Sequence, residues 1–182
     1  MGRGAARYFG RTGKLSLVFG TLLLTSGSVL AASLEYAVKA TYLYKFVPFI
    51  GWPSSSFSSP DSPINICVFG KDPFGQTLDQ AVAGQRIEGR ALAVRRISEI
   101  AASAGCHIVY IGASVDRAVV EALRDEPVLT VSDAAPNPAD RGIVNFVVED
   151  NKVRFEIDKH AAEQSHLAVS SKLLSLAYQK AK

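Results

Sequence analysis

The run Ile64-Asn65-Ile66-Cys67-Val68-Phe69 constrains the fold more than any other stretch of this chain. Five of its six residues are apolar, so it reads as a strand buried on both faces, as in the interior of a parallel sheet. Gly70-Lys71-Asp72-Pro73-Phe74-Gly75 follows it directly. There Asp72 is expected to cap a helix that carries Pro73 at its first position. Phe74, Leu78 and Ala81 or Val82 supply that helix's inward stripe, and Gly84 ends it.

The same alternation continues. Ala91 to Ile97 reads as a second strand and Ser98 to Ala102 as a helical turn. Cys106 to Ile111 is a third strand, and Pro127 to Val131 a fourth. Between the last two, Ser114 caps a helix with Val115, Ala118, Val119, Ala122 and Leu123 on one face. A polar loop, Ser132 to Gly142, precedes Ile143–Val148 and Val153–Ile157, which form a hairpin around Asp150-Asn151. One or two helices close the chain, the last capped by Ser170 with Leu173, Leu176 and Ala177 turned inward. Strands alternating with helices imply βαβ crossovers. The expected fold is therefore α/β: a single three-layer domain with a mostly parallel sheet of about six strands, a C-terminal antiparallel hairpin and helices on both faces.

Upstream, Leu34 to Ile50 has helical periodicity. Tyr36, Ala40, Leu43, Val47 and Ile50 make one stripe. Glu35 and Lys39 are an i, i+4 pair of modest value, and Pro48 ends or kinks the helix near Val47. Tyr42, Tyr44 and Phe49 crowd a second face beside Lys45. That face reads either as a second buried side or as an aromatic surface for a partner. Trp52, the single tryptophan, begins a Ser- and Pro-rich loop to Pro63 and is expected to plug the end of the core.

Residues 1–31 have the composition of a secretory signal peptide: Arg3, Arg7, Arg11 and Lys14 without an acid, an apolar run from Leu15, and a small-residue exit at Ala31-Ala32. The apolar part is too short and too interrupted to be read as a membrane anchor. Residues 32–182 are then the mature domain. Subtracting those four from 20 Lys and Arg leaves 16 against 17 Asp and Glu. A near-neutral domain gives no electrostatic support for a nucleic-acid partner. Export also places the two cysteines in an oxidising compartment.

No catalytic set is visible. Gly70 to Gly75 is neither a Walker nor a dinucleotide pattern, and Asp72 puts a negative charge where an anion would bind. His107, His160 and His166 lie at no metal-like spacing, so no metal is expected. There is no Gly-x-Ser-x-Gly elbow, and paired carboxylates stand out only at surface-like turns, Asp125-Glu126 and Glu149-Asp150. Cys67 and Cys106 both sit in apolar runs rather than in Cys-x-x-Cys. They read as a structural disulfide, with two buried free thiols and a catalytic dithiol as the alternatives. A bridge would close a loop of about 40 residues and contribute about 4 kcal/mol in the chain-entropy model.

Several segments then carry a resemblance: Glu35 to Phe46 ending in Tyr42-Leu43-Tyr44-Lys45-Phe46, Gly51-Trp52-Pro53, Ile66 to Gly75, Gly105 to Gly112, Val128 to Asp133, Ile143-Val144-Asn145-Phe146, and Ser170-Ser171-Lys172-Leu173-Leu174. Over essentially the whole mature chain the sequence resembles the YfiR family of periplasmic proteins. The resemblance implies regulation rather than catalysis, with no cofactor. The implied role is to bind and inhibit the periplasmic sensor part of an inner-membrane diguanylate cyclase and so lower cyclic di-GMP signalling. It also implies sequestration by an outer-membrane lipoprotein, a homodimer, and small aromatic ligands. Cys67 and Cys106 match one family disulfide by motif context, and a second family pair has no counterpart here. The alternative function is a periplasmic small-molecule sensor or accessory protein for another membrane receptor, with a thiol oxidoreductase behind it. For partner contact the residues singled out are Tyr42, Lys45, Phe49 and Lys172.

Overall fold

The computed structural model describes residues 1–2, 26–112 and 117–179. The segment read as a signal peptide and the residues Ser114 and Val115 therefore lie almost wholly outside what is described. Helix α1 spans Ser26–Phe46, and Pro48 converts its end into the 3₁₀ turn Val47–Phe49. A two-residue strand β1, Ile50–Gly51, follows. Then come β2 (Ile64–Phe69), α2 (Gln76–Val82), β3 (Arg86–Ile87), β4 (Arg90–Ile97) and β5 (Ile108–Ile111). The chain continues through α3 (Arg117–Ala122), β6 (Leu129–Asp133), β7 (Val144–Glu149), β8 (Lys152–Ile157), α4 (Lys159–Gln164), β9 (Ala168–Val169) and α5 (Ser171–Leu176).

The main sheet has seven strands in the order β3-β4-β2-β5-β6-β7-β8. Its four central pairings, β4 with β2, β2 with β5, β5 with β6 and β6 with β7, are parallel. Antiparallel pairs close both ends: β3 with β4, and β7 with β8. The fold is thus the expected α/β domain with a mostly parallel sheet and a C-terminal hairpin. The chain adds β4 to one side of β2 and β5 to the other, which makes β2 the switch point of an open parallel sheet.

Strand parity builds the layers. Ile64, Ile66 and Val68, with Ile108, Tyr110, Leu129, Val131, Val144 and Phe146, face α1 and α2 and form the larger core. Cys67, Val109 and Ile111 point the other way and pack with Val119, Val120 and Leu123 around α3. Alternate residues of one strand necessarily reach opposite faces, so a continuous apolar run such as β2 serves both cores.

Between β6 and β7 a loop with one 3₁₀ turn, Pro138–Asp140, replaces the crossover helix. It lies against the face where β6 presents polar side chains. Gly142 N–H donates to Ser132 Oγ at 3.0 Å and Ile143 N–H to Thr130 Oγ1 at 2.9 Å. Ser132 Oγ donates to Asn145 Oδ1 at 2.8 Å, which also accepts from Ala135 N–H. Buried polar groups of β6 and β7 are thereby satisfied by the loop backbone.

Several local expectations are corrected. Asp72 does not cap α2. Its Oδ1 accepts from Phe74 and Gly75 N–H, closing a turn, and α2 starts only after Gly75, whose φ of 50° interrupts the helix. Asp133, assigned to a loop, ends β6. Val119 and Leu123 turn inward as expected, but Ala118 and Ala122 are exposed and Val120 takes their place in the core. Leu176 is 62% exposed, so α5 docks through Leu173 alone among the buried residues. The hairpin β3–β4 was not expected at all. Its central residues Glu88 and Gly89 have φ of 51° and 82°, the left-handed pair of a type I′ turn. The same geometry occurs at Asp150 and Asn151, where a turn was expected. The small sheet of β1 with β9, pairing Ile50 with Val169, was also not foreseen, since each strand has only two residues.

Candidate functional site

Three places hold polar or aromatic side chains in arrangements that could act. The first is a charged cluster buried between α1 and the sheet. Lys39 is 2% exposed. Its Nζ donates to Asp133 Oδ1 at 2.6 Å and to Glu35 Oε1 at 2.5 Å. Tyr110 OH donates to Asp133 Oδ2 at 2.6 Å. The Tyr36 ring lies 4.8 Å from the ammonium, and Phe74 stands edge-on to both Tyr36 and Tyr110.

Parity explains the convergence. Asp133 is two residues beyond Val131 and so shares its face, as Tyr110 does with Ile108. Burial alone would pull the Lys39 pKa down, but hydrogen bonds to Asp133 and Glu35 outweigh it and hold it above the ordinary lysine value. The Tyr36 and Tyr110 hydroxyls are both pushed up, first by burial and then by the Asp133 carboxylate. Lys39 stays charged, and both phenols stay protonated at neutral pH. The cluster is a closed ion pair with satisfied hydrogen bonds, which pins α1 to the carboxyl end of β6. It corrects the reading that carboxylates meet only at surface turns: Glu35 and Asp133 meet on Lys39. Asp72 and Asp79 likewise meet on Arg96, at 3.0 and 2.6 Å.

The second place is the surface where α1 ends. Phe49 and Lys172 come together there, with the ammonium 5.8 Å from the ring centre. The Phe49 carbonyl accepts from Ser170 N–H at 2.9 Å, so the short β1–β9 sheet brings the start of α5 to the end of α1. Lys45 is exposed and lies over the Tyr44 ring at 5.3 Å. Tyr42 belongs elsewhere. It packs on Phe46, Phe146 and Phe155 at 5.4 to 6.0 Å between ring centres, as part of the larger core. Of the four residues singled out for a partner, the structure joins Phe49 and Lys172, leaves Lys45 on the helix surface and half-buries Tyr42.

Beside Phe49 opens the third place, a groove of about 610 Å³ lined by Ile50, Trp52, Phe57, Arg90 and Val169 among others. Trp52 Nε1–H donates to the His107 carbonyl at 3.2 Å, and the Phe57 ring stacks on the His107 imidazole at 4.6 Å. The Arg90 guanidinium lies over the Phe57 ring, 3.9 Å from its centre. Trp52 therefore closes one end of the core, held from the amino end of β5.

Cys67 and Cys106 are joined in a disulfide with Cα atoms 5.9 Å apart. Both are buried, at 0% and 5% exposure. Among the described residues no three His, Cys, Asp or Glu side chains could hold a metal ion. His160 and His166 are exposed. No described helix is long and apolar enough to cross a membrane.

The class that emerges is a disulfide-stapled open α/β domain with a closed ion-pair cluster under its first helix and with concave and aromatic features around that helix's end. The model of the domain family DUF4154, described as YfiR/HmsC-like, matches residues 36–178, and the chain belongs to that family. The match runs from the middle of α1 to just beyond α5 and so takes in every described strand. No curated protein matches the chain with significance.

Proposed function

We propose that this chain is a periplasmic regulatory protein that binds the periplasmic sensor part of an inner-membrane diguanylate cyclase and holds cyclic di-GMP synthesis down. The observation that carries the reading is membership of the YfiR/HmsC-like family across the whole folded domain. A disulfide between buried cysteines accords with export, since such bonds persist in oxidising compartments. The partner surface in this reading is the Phe49–Lys172 junction together with Lys45 and Tyr44 on α1, two cations each over its own aromatic ring. Aromatic anchors are enriched in such contacts, with a polar rim around them. A homodimer and sequestration by an outer-membrane lipoprotein belong to the same proposal.

The test is co-purification of the cyclase from membranes by the mature chain, together with cellular cyclic di-GMP in a deletion strain. Capture of the cyclase and raised cyclic di-GMP are expected. Phe49→Ala combined with Lys172→Glu should abolish capture while leaving the melting temperature within a few degrees of wild type. No capture and unchanged cyclic di-GMP would end this reading.

A second reading has its own support in the groove lined by Trp52 and Phe57. Apolar concavities with a few polar groups are the usual form of small-molecule sites, and the chain would then be a sensor for another membrane receptor. Aromatic metabolites that shift neither the Trp52 fluorescence nor the melting temperature would count against it. A thiol oxidoreductase is disfavoured physically, because exchange needs an accessible sulfur and both are buried.

A further inference from the structure

His107 precedes β5 at the sheet's amino end and is 2% exposed. Its Nδ1 accepts the backbone N–H of Asn65 at 3.1 Å, which fixes the neutral tautomer with the proton on Nε2. Nε2 is itself buried and makes no hydrogen bond of normal geometry, only a weaker interaction with the Ser56 backbone. Ser56 Oγ is likewise buried without a partner. The imidazole thus sits under the segment 52–63, clasped by Trp52 edge-on at 5.8 Å and Phe57 stacked at 4.6 Å.

We propose that His107 is an acid-sensitive latch for the segment 52–63. A second proton can go only onto Nδ1. It would turn the acceptor of the Asn65 N–H into a donor, setting two N–H groups head to head. The resulting imidazolium would lie buried among aromatic rings with no carboxylate bonded to it. Relief comes by lifting the segment that carries Trp52 and Phe57, which lets Nδ1 and Nε2 reach water.

The charged surroundings agree. The segment 52–63 contains one ionisable residue, the exposed Asp61, and β2 offers only Asn65. From β4 comes Arg90, whose guanidinium stacks on Phe57 and donates to the Ser59 and Ser62 carbonyls. From the turn before β6 comes Glu126, which is exposed and lies across a cavity of about 470 Å³ that His107 also lines. Burial, and then the Arg90 charge, hold the imidazole below its ordinary pKa. A base with a lowered folded pKa gives stability that is full above the unfolded value near 6.5 and is lost as pH falls below it. The latch is therefore closed at neutral pH and opens in acid. The inference concerns the fold itself and does not rest on which partner the chain binds.

The single tryptophan reports it. In the oxidised mature chain, Trp52 emission should shift to the red as pH falls from 7.5 to 4.5, with a midpoint below about 6.5 and far-UV circular dichroism unchanged. His107→Asn, whose Oδ1 can still accept the Asn65 N–H, should abolish the transition. Arg90→Gln should move its midpoint upward, and His160→Gln with His166→Gln should leave it in place. A flat wild-type emission, or a transition that survives His107→Asn, would overturn the proposal. Should His107→Asn fail to fold, imidazole ¹⁵N shifts of the wild type decide. The expected result is that the Nε2–H tautomer persists until the amides of residues 52–57 lose protection at the same midpoint. Titration of His107 with those amides unmoved would refute the latch.

Discussion

Lys39→Met tests whether the buried charge cluster holds α1 to the sheet. The substitution keeps the length of the side chain and removes the ammonium. Asp133 is 3% exposed and would keep phenolic partners such as the Tyr110 hydroxyl but lose its one cation. Glu35, with a third of its side chain exposed, can turn to water. Breaking one partner of a buried ion pair costs about 3–5 kcal/mol, most of it from the charge left behind. In a domain of this size each kcal/mol moves the melting temperature by roughly 2–4 °C. The expected loss is therefore roughly 6–20 °C, measured by thermal and urea unfolding at pH 7.

Two further measurements separate charge from shape. In Lys39→Met the Asp133 carboxylate is left buried without its cation, and taking up a proton removes that uncompensated charge. The variant's deficit should then shrink in acid. Lys39→Met with Asp133→Leu removes both charges and should recover most of the stability, since a buried pair exchanged for apolar groups is often neutral. If Lys39→Met costs less than about 1 kcal/mol and the two substitutions are additive, the cluster is not the clamp described here.

Three other outcomes follow from particular contacts. Cys67→Ala should lower stability in the oxidised protein by about 4 kcal/mol, because the bridge spans a sequence separation of 39; equal unfolding midpoints for mutant and wild type under oxidising conditions would count against this. Gly142→Ala should destabilise by about 1–3 kcal/mol, since its Cβ would meet the Thr130 carbonyl oxygen at 2.6 Å; an unchanged midpoint would mean the loop yields freely. Arg96→Gln should cost only about 1 kcal/mol, because its pairs with Asp72 and Asp79 are partly exposed, and its effect should fade in high salt.

The proposed partner surface and the proposed acid latch lie next to each other in the fold. Trp52 follows β1, which pairs with β9 just before α5 and Lys172. Whatever loosens the segment 52–63 is therefore one short strand away from the Phe49–Lys172 junction. The disulfide lies on the opposite face of the sheet, under α3.

Local sequence determined the strands and their class. Ile64–Phe69 is apolar throughout except at Asn65, so it had to be an interior strand, and its bounds are those expected. Asp150-Asn151 fixed a hairpin because those residues tolerate left-handed backbone. Ser170 caps α5 through its hydroxyl, as its type and place require. What sequence did not determine was which polar residues would be buried together. Lys39 had the spacing of a surface pair with Glu35, and Asp133 fell inside the expected loop Ser132 to Gly142. Only the parallel register of β5 and β6, and the laying of α1 across them, put the ammonium on that carboxylate. His107 shows the same limit. Its adjacency to Cys106 was visible, but the bond to Asn65 N–H exists because β2 and β5 are neighbours in the sheet. Periodicity decides which face of an element is apolar. The energy of a buried charge or imidazole depends on partners far away in the chain, and those are set only when the layers close.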